Sequence, residues 1–260
     1  MAKTRTALTI AGSDSGGCSG IQADLRTFAR LGVHGTTAIT CITAQNTGGV
    51  QAVIPLPPAS VSAQIESVLS DIGCDSLKTG MLGTEEIIRA VAQCLRAWKP
   101  RNLVVDPVMV STSGVELLQG GAVAALRDQL MPLARLVTPN LFEAECLLER
   151  PVRNIDEMES AAERLFDQAG CAVLVKGGHL QGKPIDILFA GKQHIRFTSP
   201  RVRTRHTRGS GCTLSAAIAA NLAHRYTLED AIAKAKKYVT QALRGSYSIG
   251  TGPGPLGTGR

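Results

Sequence analysis

Gly209-Ser210-Gly211-Cys212 stands directly before "TLSAAIAANLA", a run of small and apolar residues that reads as a helix. Glycines at such a junction let successive free amides face one point, and the helix dipole adds partial positive charge there, so the pattern suits an anion. The same field lowers the pKa of a thiol at a helix N-terminus, which gives Cys212 a physical case for reactivity. The alternative is a small residue filling a tight turn, and at this point both readings stand. Further polar groups follow apolar runs in "AGSDSGG", "TAQN", "KTGM", "DPVM", "TPN" and "KGGH", which carry Asp14, Gln45, Asn46, Lys78, Asp106, Asn140, Lys176 and His179.

The familiar phosphate loops are absent. A Walker loop needs Lys after its second glycine, but Gly12 to Gly17 is followed by Cys18. Gly16, Gly17 and Gly20 have the wrong spacing for a dinucleotide fingerprint, and Gly209 and Gly211 are followed by Leu214 where that fingerprint needs its third glycine. Neither HExxH nor GxSxG occurs, which lowers metalloprotease and hydrolase readings.

These residues need a scaffold, and β-rich runs alternate with amphipathic ones along the chain. "ALTIAG", "TTAITCITAQ", "DSLKTGML", "NLVVDPVM", "RLVTPN" and "AVLVKGG" read as six strands. Between them lie helices such as "GIQADLRTFARLG" and "VSAQIESVLSDIG", the second with Val61, Ile65, Val68, Leu69 and Ile72 on one face. "TEEIIRAVAQCLRAW" has Thr84 placed as its cap and Pro100 beyond its end. "AVAALRDQLMPLA", "LFEAECLLE" and "MESAAERLFDQAG" are further helices, and "PIDILFAGKQHIRFTS" carries the turn of an antiparallel hairpin. Two closing helices, "TLSAAIAANLA" and "LEDAIAKAKKYVTQALR", precede a glycine-rich and proline-rich tail expected to be loose. The pattern predicts an α/β fold of three layers, doubly wound, with a mostly parallel central sheet and helices on both faces. In such folds ligands gather beyond the carboxyl ends of the strands, where the eight polar residues above would share one rim. No internal repeat or interdomain linker appears, so residues 1–260 are expected to form a single domain.

Composition narrows the partner. Seven cysteines without a CxxC pair argue against a disulfide framework and a zinc site. The formal charge of +7 suits an anionic partner, but the cations are dispersed and only 3% of residues are aromatic, so base stacking has few platforms. A phosphorylated small molecule fits better than nucleic acid, and a merely solvated cationic surface stays open. The N-terminus lacks a signal-peptide pattern and no apolar stretch has membrane-spanning length, so a soluble, cytoplasmic protein is expected.

"LTIAGSDSGGCSGIQADLRTF", "AQNTGGVQ", "KTGML", "VVDPVM", "TPNLFEAE", "VLVKGGH" and "GSGCTLSAAIAA", in that order over nearly the whole chain, resemble the hydroxymethylpyrimidine and phosphomethylpyrimidine kinases of thiamine biosynthesis. These belong to the ribokinase superfamily. The resemblance implies ATP-dependent phosphorylation of 4-amino-5-hydroxymethyl-2-methylpyrimidine, then of its monophosphate to the diphosphate, by a homodimer. It implies that Asp24 and Gln45 hold the pyrimidine, that Met81 and Val108 pack on its ring, and that Gly12 lines the same pocket. A carboxylate plus a carboxamide can read the donor and acceptor of an aminopyrimidine edge. By the same resemblance Asp106, Asn140, Glu143, Lys176 and Thr207 handle the nucleotide, with Asp106 and Glu143 organising Mg2+. Cys212 occupies the position of the superfamily's base, with the amides of Gly209 and Gly211 and the Lys176 ammonium beside it. A pyridoxal kinase on the same fold is the alternative.

Three departures stand out. Cys18-Ser19 replaces the frequent Gly-Ala of the glycine loop, and Arg208 stands where relatives often have His. The tail "GPGPLGTGR" lacks a histidine commonly found near the end. Arg208 is expected to add an anion contact beside the phosphate loop.

Overall fold

The computed structural model describes residues 3–110, 114–118 and 121–257. Its strands are β1 (Arg5–Asp14), β2 (Val33–Asn46), β3 (Gly49–Pro55), β4 (Ser76–Thr79), β5 (Leu103–Val105), β6 (Leu136–Val137), β7 (Ala172–Gly177), β8 (Ile185–Phe189) and β9 (His194–Thr198). They form one sheet in the order β3-β2-β1-β4-β5-β6-β7-β8-β9. The six expected strands, β1, β2, β4, β5, β6 and β7, run parallel, while β3, β8 and β9 are antiparallel to their neighbours. β1 pairs with β2 on one side and β4 on the other, so the chain reverses its direction of winding there. The crevice beyond the ends of β1 and β4 is the topological switch point, where doubly wound folds bind ligands.

The helices are α1 (Gly20–Arg30), α2 (Pro58–Asp71), α3 (Glu85–Trp98), α4 (Ala122–Ala125), α5 (Leu141–Leu148), α6 (Ile155–Ala169), α7 (Ser210–Ala223) and α8 (Leu228–Arg244). Alternate strand residues feed two cores. Leu103 and Val105 pack with Ile65, Ile88 and Leu165 of α2, α3 and α6, and Val104 packs with Phe28, Ile218 and Ile232 of α1, α7 and α8. Because both faces of β5 are covered, its sequence is continuously apolar rather than alternating. α7 is buried nearly all round, and alanines at 216, 217, 219, 220 and 223 let its neighbours approach closely. Packing therefore fixes its axis and aims its N-terminus at the carboxyl rim.

Several expectations change. Gly49–Pro55 forms a strand that the sequence pattern passed over, an edge strand whose side chains are half-buried or exposed and which pairs only with β2. "AVAALRDQLMPLA" is α-helical for four residues, then a wider turn over Leu126–Leu130 and a 3-10 turn over Met131–Leu133, where Pro132 ends the ladder. Ile72 falls beyond α2 and is 48% exposed, while Val61, Ile65 and Leu69 are buried as expected. The tail is docked rather than loose. The Gly257 amide donates to the Ala242 carbonyl at 3.0 Å, and Leu256 is buried. Its last three residues lie outside the described residues.

Candidate active site

α7 begins at Gly209, whose φ of +82° lies in the left-handed region. A Cβ there would stand 2.1 Å from the Cys18 carbonyl oxygen, so only glycine fits against the glycine loop. The Ser210 amide closes a turn onto the Thr207 carbonyl at 3.1 Å, and no side chain caps the helix. Among the described residues the amides of Gly209, Gly211 and Cys212 have no hydrogen-bond partner, which leaves them for an anion. A Cβ on Gly211 would lie 3.7 Å from Lys176 Nζ and 4.0 Å from Asp106 Oδ2, which places the first turn of α7 against these two charges.

Charged side chains fill the space below. Asp24 of α1 and Lys78 of β4 are both fully buried and paired at 2.9 Å; Thr9 Oγ1 also donates to Asp24 Oδ2 at 2.7 Å. Asp24 Oδ1 has no partner. Asp106, just past β5, accepts from Lys176 Nζ at 2.8 Å and from Ser215 Oγ of α7 at 3.0 Å. Lys176 Nζ also lies 3.8 Å from Glu143. Asn140 and Glu143 close a reciprocal cap on α5: the Glu143 amide donates to Asn140 Oδ1 at 2.9 Å, and the Asn140 amide to Glu143 Oε2 at 2.7 Å.

Burial and charge set the protonation of this cluster. Burial pushes Asp24 up, against the pull of Lys78. Burial would also raise Asp106, but the ammonium groups of Lys176 and Lys78 hold it below its ordinary value. Glu143 is raised to about 7, chiefly by burial and further by Asp106. Both lysines stay charged, because their carboxylate partners outweigh the desolvation that would lower them. Cys212 corrects the sequence expectation. Burial pushes its thiol up to about 11, with Lys78 pulling down and the Asp24 and Asp106 charges pushing up, so the helix terminus does not produce a thiolate.

The remaining predicted residues divide into pocket and frame. Gly12 faces Met81, whose Sδ would touch a Cβ there at 3.4 Å, and Met81 is 9% exposed. Gln45 is half-buried at the end of β2, its Nε2 donating to Ser19 Oγ at 3.2 Å, and Val108 is half-buried past β5. Asp14 belongs to the frame: its carboxylate accepts from the amides of Gly16, Cys18 and Ser19 and so shapes the glycine loop. Asn46 accepts the Gly48 amide within its own turn, and His179 is exposed beyond β7. Arg208 is 4% exposed and donates to the Thr47 carbonyl at 3.1 Å, where an anion contact was expected. The sequence reading missed Thr9 and Ser215. Ser215 was findable, since it lies one turn beyond Gly211 on the same helix face. A groove of about 1000 Å3 opens at the opposite rim, lined by Trp98, Arg101, Arg135 and Tyr226 among others, and holds none of these residues.

The family model described as phosphomethylpyrimidine kinase matches residues 14–257. The chain is 50% identical over 254 residues to a hydroxymethylpyrimidine/phosphomethylpyrimidine kinase of Synechococcus elongatus, covering 96% of each. It is 48% identical over 250 residues to a thiamine biosynthesis bifunctional protein of Geobacter sulfurreducens, covering 96% of this chain but 51% of that relative, so it spans about half of the longer protein. Among solved structures, the pyridoxal kinase of Bacillus subtilis in its ADP complex superposes with a TM-score of 0.92, at 38% identity and 98% coverage of both chains.

Proposed function

The chain belongs to the phosphomethylpyrimidine kinase family, and from that premise we infer an ATP-dependent phosphotransferase that phosphorylates 4-amino-5-hydroxymethyl-2-methylpyrimidine and then its monophosphate in thiamine biosynthesis. The observation that carries the reading is the meeting of the uncapped N-terminus of α7 with Lys176, Asp106 and Glu143, beside the buried Asp24–Lys78 pair. Phosphoryl transfer needs positioning and charge stabilisation more than bond-making groups, and this rim supplies both.

In this reading the amides of Gly209, Gly211 and Cys212, with Lys176, meet the charge on the transferring phosphoryl group. Thr207, whose carbonyl holds the turn into α7, belongs to the nucleotide side. Asp24, through its unpartnered Oδ1, and the Gln45 carboxamide read the aminopyrimidine. Met81 and Val108 pack on the ring, and Gly12 leaves room for it. The Cys212 thiol is neutral, so it orients the accepting hydroxyl by hydrogen bonding rather than acting as a base, and the hydroxyl proton passes to an oxygen of the transferring phosphoryl group as transfer proceeds. The second acceptor is an ionised phosphate and needs no base.

Asp106, Glu143 and Asn140 offer hard oxygen donors, and no cluster of three metal-ligating side chains occurs among the described residues. That set fits Mg2+, which is commonly held by one or two carboxylates together with substrate phosphates and water. Bound there, the ion would neutralise phosphate charge while Asp106 and Glu143 orient it.

We take the chain as one kinase domain that works as a homodimer in the cytoplasm. Among the described residues no helix is long and apolar enough to cross a membrane. The dimer is supported by Ile42 and Ile54, cross-strand partners on the β2–β3 ribbon that are 47% and 58% exposed. The second reading, a pyridoxal kinase, rests on the likeness to the Bacillus subtilis enzyme. ADP release with ATP and magnesium, compared for hydroxymethylpyrimidine, its monophosphate and pyridoxal at equal concentration, separates the two. Turnover of the first two with little on pyridoxal is expected; turnover of pyridoxal alone would remove Asp24 and Gln45 as pyrimidine readers.

A further inference from the structure

Arg208 carries a guanidinium into a site that is 4% exposed, and no carboxylate pairs with it among the described residues. Its Nη2 donates to the Thr47 carbonyl at 3.1 Å, its Nε has no partner, and its own amide donates to the Gly254 carbonyl at 3.3 Å. The two ends of this contact belong to different halves of the site. Thr47 lies in the turn between β2 and β3, two residues past Gln45, whereas Arg208 immediately precedes Gly209 and the free amides of α7.

The C-terminal segment ties the same two loops together a second time. The Gly252 amide donates to Thr47 Oγ1 at 3.2 Å, and the Gly254 amide to His206 Nδ1 at 2.9 Å. A Cβ on Gly252 would stand 1.9 Å from the Thr47 carbonyl oxygen, so the segment lies directly on the turn. A buried charged donor on a backbone carbonyl is costly to separate, because the guanidinium would then be left unpaired in a dry site. The turn just past Gln45 and the loop that leads into α7 are therefore held against each other.

We propose that Arg208, Thr47 and the segment 250–256 form a clasp that couples the pyrimidine pocket to the phosphoryl site, so that filling one tightens the other. Arg208 is a positioning residue that acts through Thr47 rather than by touching acceptor or nucleotide. The clasp rests on the kinase reading above. Coupling of this kind is reciprocal: what nucleotide does to pyrimidine affinity, the pyrimidine does to nucleotide affinity.

The test is calorimetric titration of the full chain with hydroxymethylpyrimidine, with and without a saturating non-hydrolysable ATP analogue and magnesium. The wild-type chain is expected to bind the pyrimidine at least about fivefold more tightly with the analogue present. Arg208→Ala is expected to bring that ratio close to one, and Arg208→Lys, which can still reach the carbonyl, to restore part of it. Thr47→Val, which deletes only the Gly252 bond, keeps the test open should Arg208→Ala fail to fold, and is expected to lower the ratio as well. A ratio of one in the wild-type chain, or an unchanged ratio in both variants, overturns the clasp. Weaker binding of the analogue with the ratio intact would make Arg208 a direct anion contact and overturn it too. If no form bound the pyrimidine, the kinase reading would fall and the clasp with it.

Discussion

At the scale of single residues, the site is governed by competition between burial and charge. Cys212 sits where the helix terminus favours a thiolate, yet burial and two nearby carboxylates prevail and raise it to about 11. Iodoacetamide is therefore expected to label Cys212 at pH 7.5 no faster than an ordinary thiol, with the rate still climbing above pH 9. Rapid labelling at pH 7.5, read by peptide mass spectrometry, would show that the dipole wins. Glu143 makes the complementary case. Its ordinary value of 4.5 is raised to about 7, so the native state holds a proton there that the unfolded chain gives up. The contribution of this group to stability is thus present below about pH 4.5 and is lost as pH rises to about 7. Activity runs the other way, because only the ionised form can meet Lys176 or hold a cation. The pH profile of kcat/KM, which reports the free enzyme, should show an acid limb near 7 that belongs to the linked Glu143, Asp106 and Lys176 cluster, and Glu143→Gln should remove that limb while lowering the plateau. An unchanged limb in the variant would assign the titration elsewhere.

Among the elements, α7 shows why some of the structure was legible in sequence and some was not. Glycines before an alanine-rich run announced both the helix and its anion-binding end, since small residues and a left-handed start are local properties. The six parallel strands were equally open to reading, because strands buried on both faces must be apolar throughout. β3 and the tail were not, since what orders them is remote: β3 turns Val53 toward the core but pairs only with β2, and the tail is held through Thr47, His206 and Ala242. The break inside "AVAALRDQLMPLA" was passed over in the sequence, although Pro132 signals that the ladder ends there. The Asn140 and Glu143 motif was read as a ligand set, and its capping role becomes visible only once α5 is seen to begin there. The start of α7 also carries a sharp test. Gly209→Ala combines a left-handed backbone, costing about 1–3 kcal/mol, with a Cβ placed 2.1 Å from the Cys18 carbonyl. The loop must shift, so phosphoryl transfer is expected to fall by about a hundredfold or more and the melting temperature by several degrees. Ser210→Ala, at a residue whose side chain makes no hydrogen bond among the described residues, serves as the control with near-normal stability. Near-normal kcat in Gly209→Ala would show that the amide positions are not needed.

Across the whole molecule, one architectural decision organises the chemistry. Winding that reverses at β1 opens a crevice beyond β1 and β4, and the same parallel strands that build it deliver Lys78, Asp106 and Lys176 to one end of the sheet. The groove of about 1000 Å3 at the other end collects none of them. The same winding leaves β3 as an unpaired edge with an apolar cross-strand pair, Ile42 and Ile54, turned outward. Exposed edges of this kind invite pairing with another chain unless they are short, charged or covered. Neither isoleucine position carries a charge to blunt it. A second copy laid against this pair would cover it, and it would set the ribbon that carries Gln45 against a firm support. Sedimentation of the full chain at micromolar concentration should therefore give a dimer, and the double variant Ile42→Lys with Ile54→Lys a monomer. Because Gln45 shares this ribbon, the monomer is expected to show a raised KM for the pyrimidine with the KM for ATP changed less. A wild-type monomer, or a dimer that survives both lysines, would assign the apolar pair to another role.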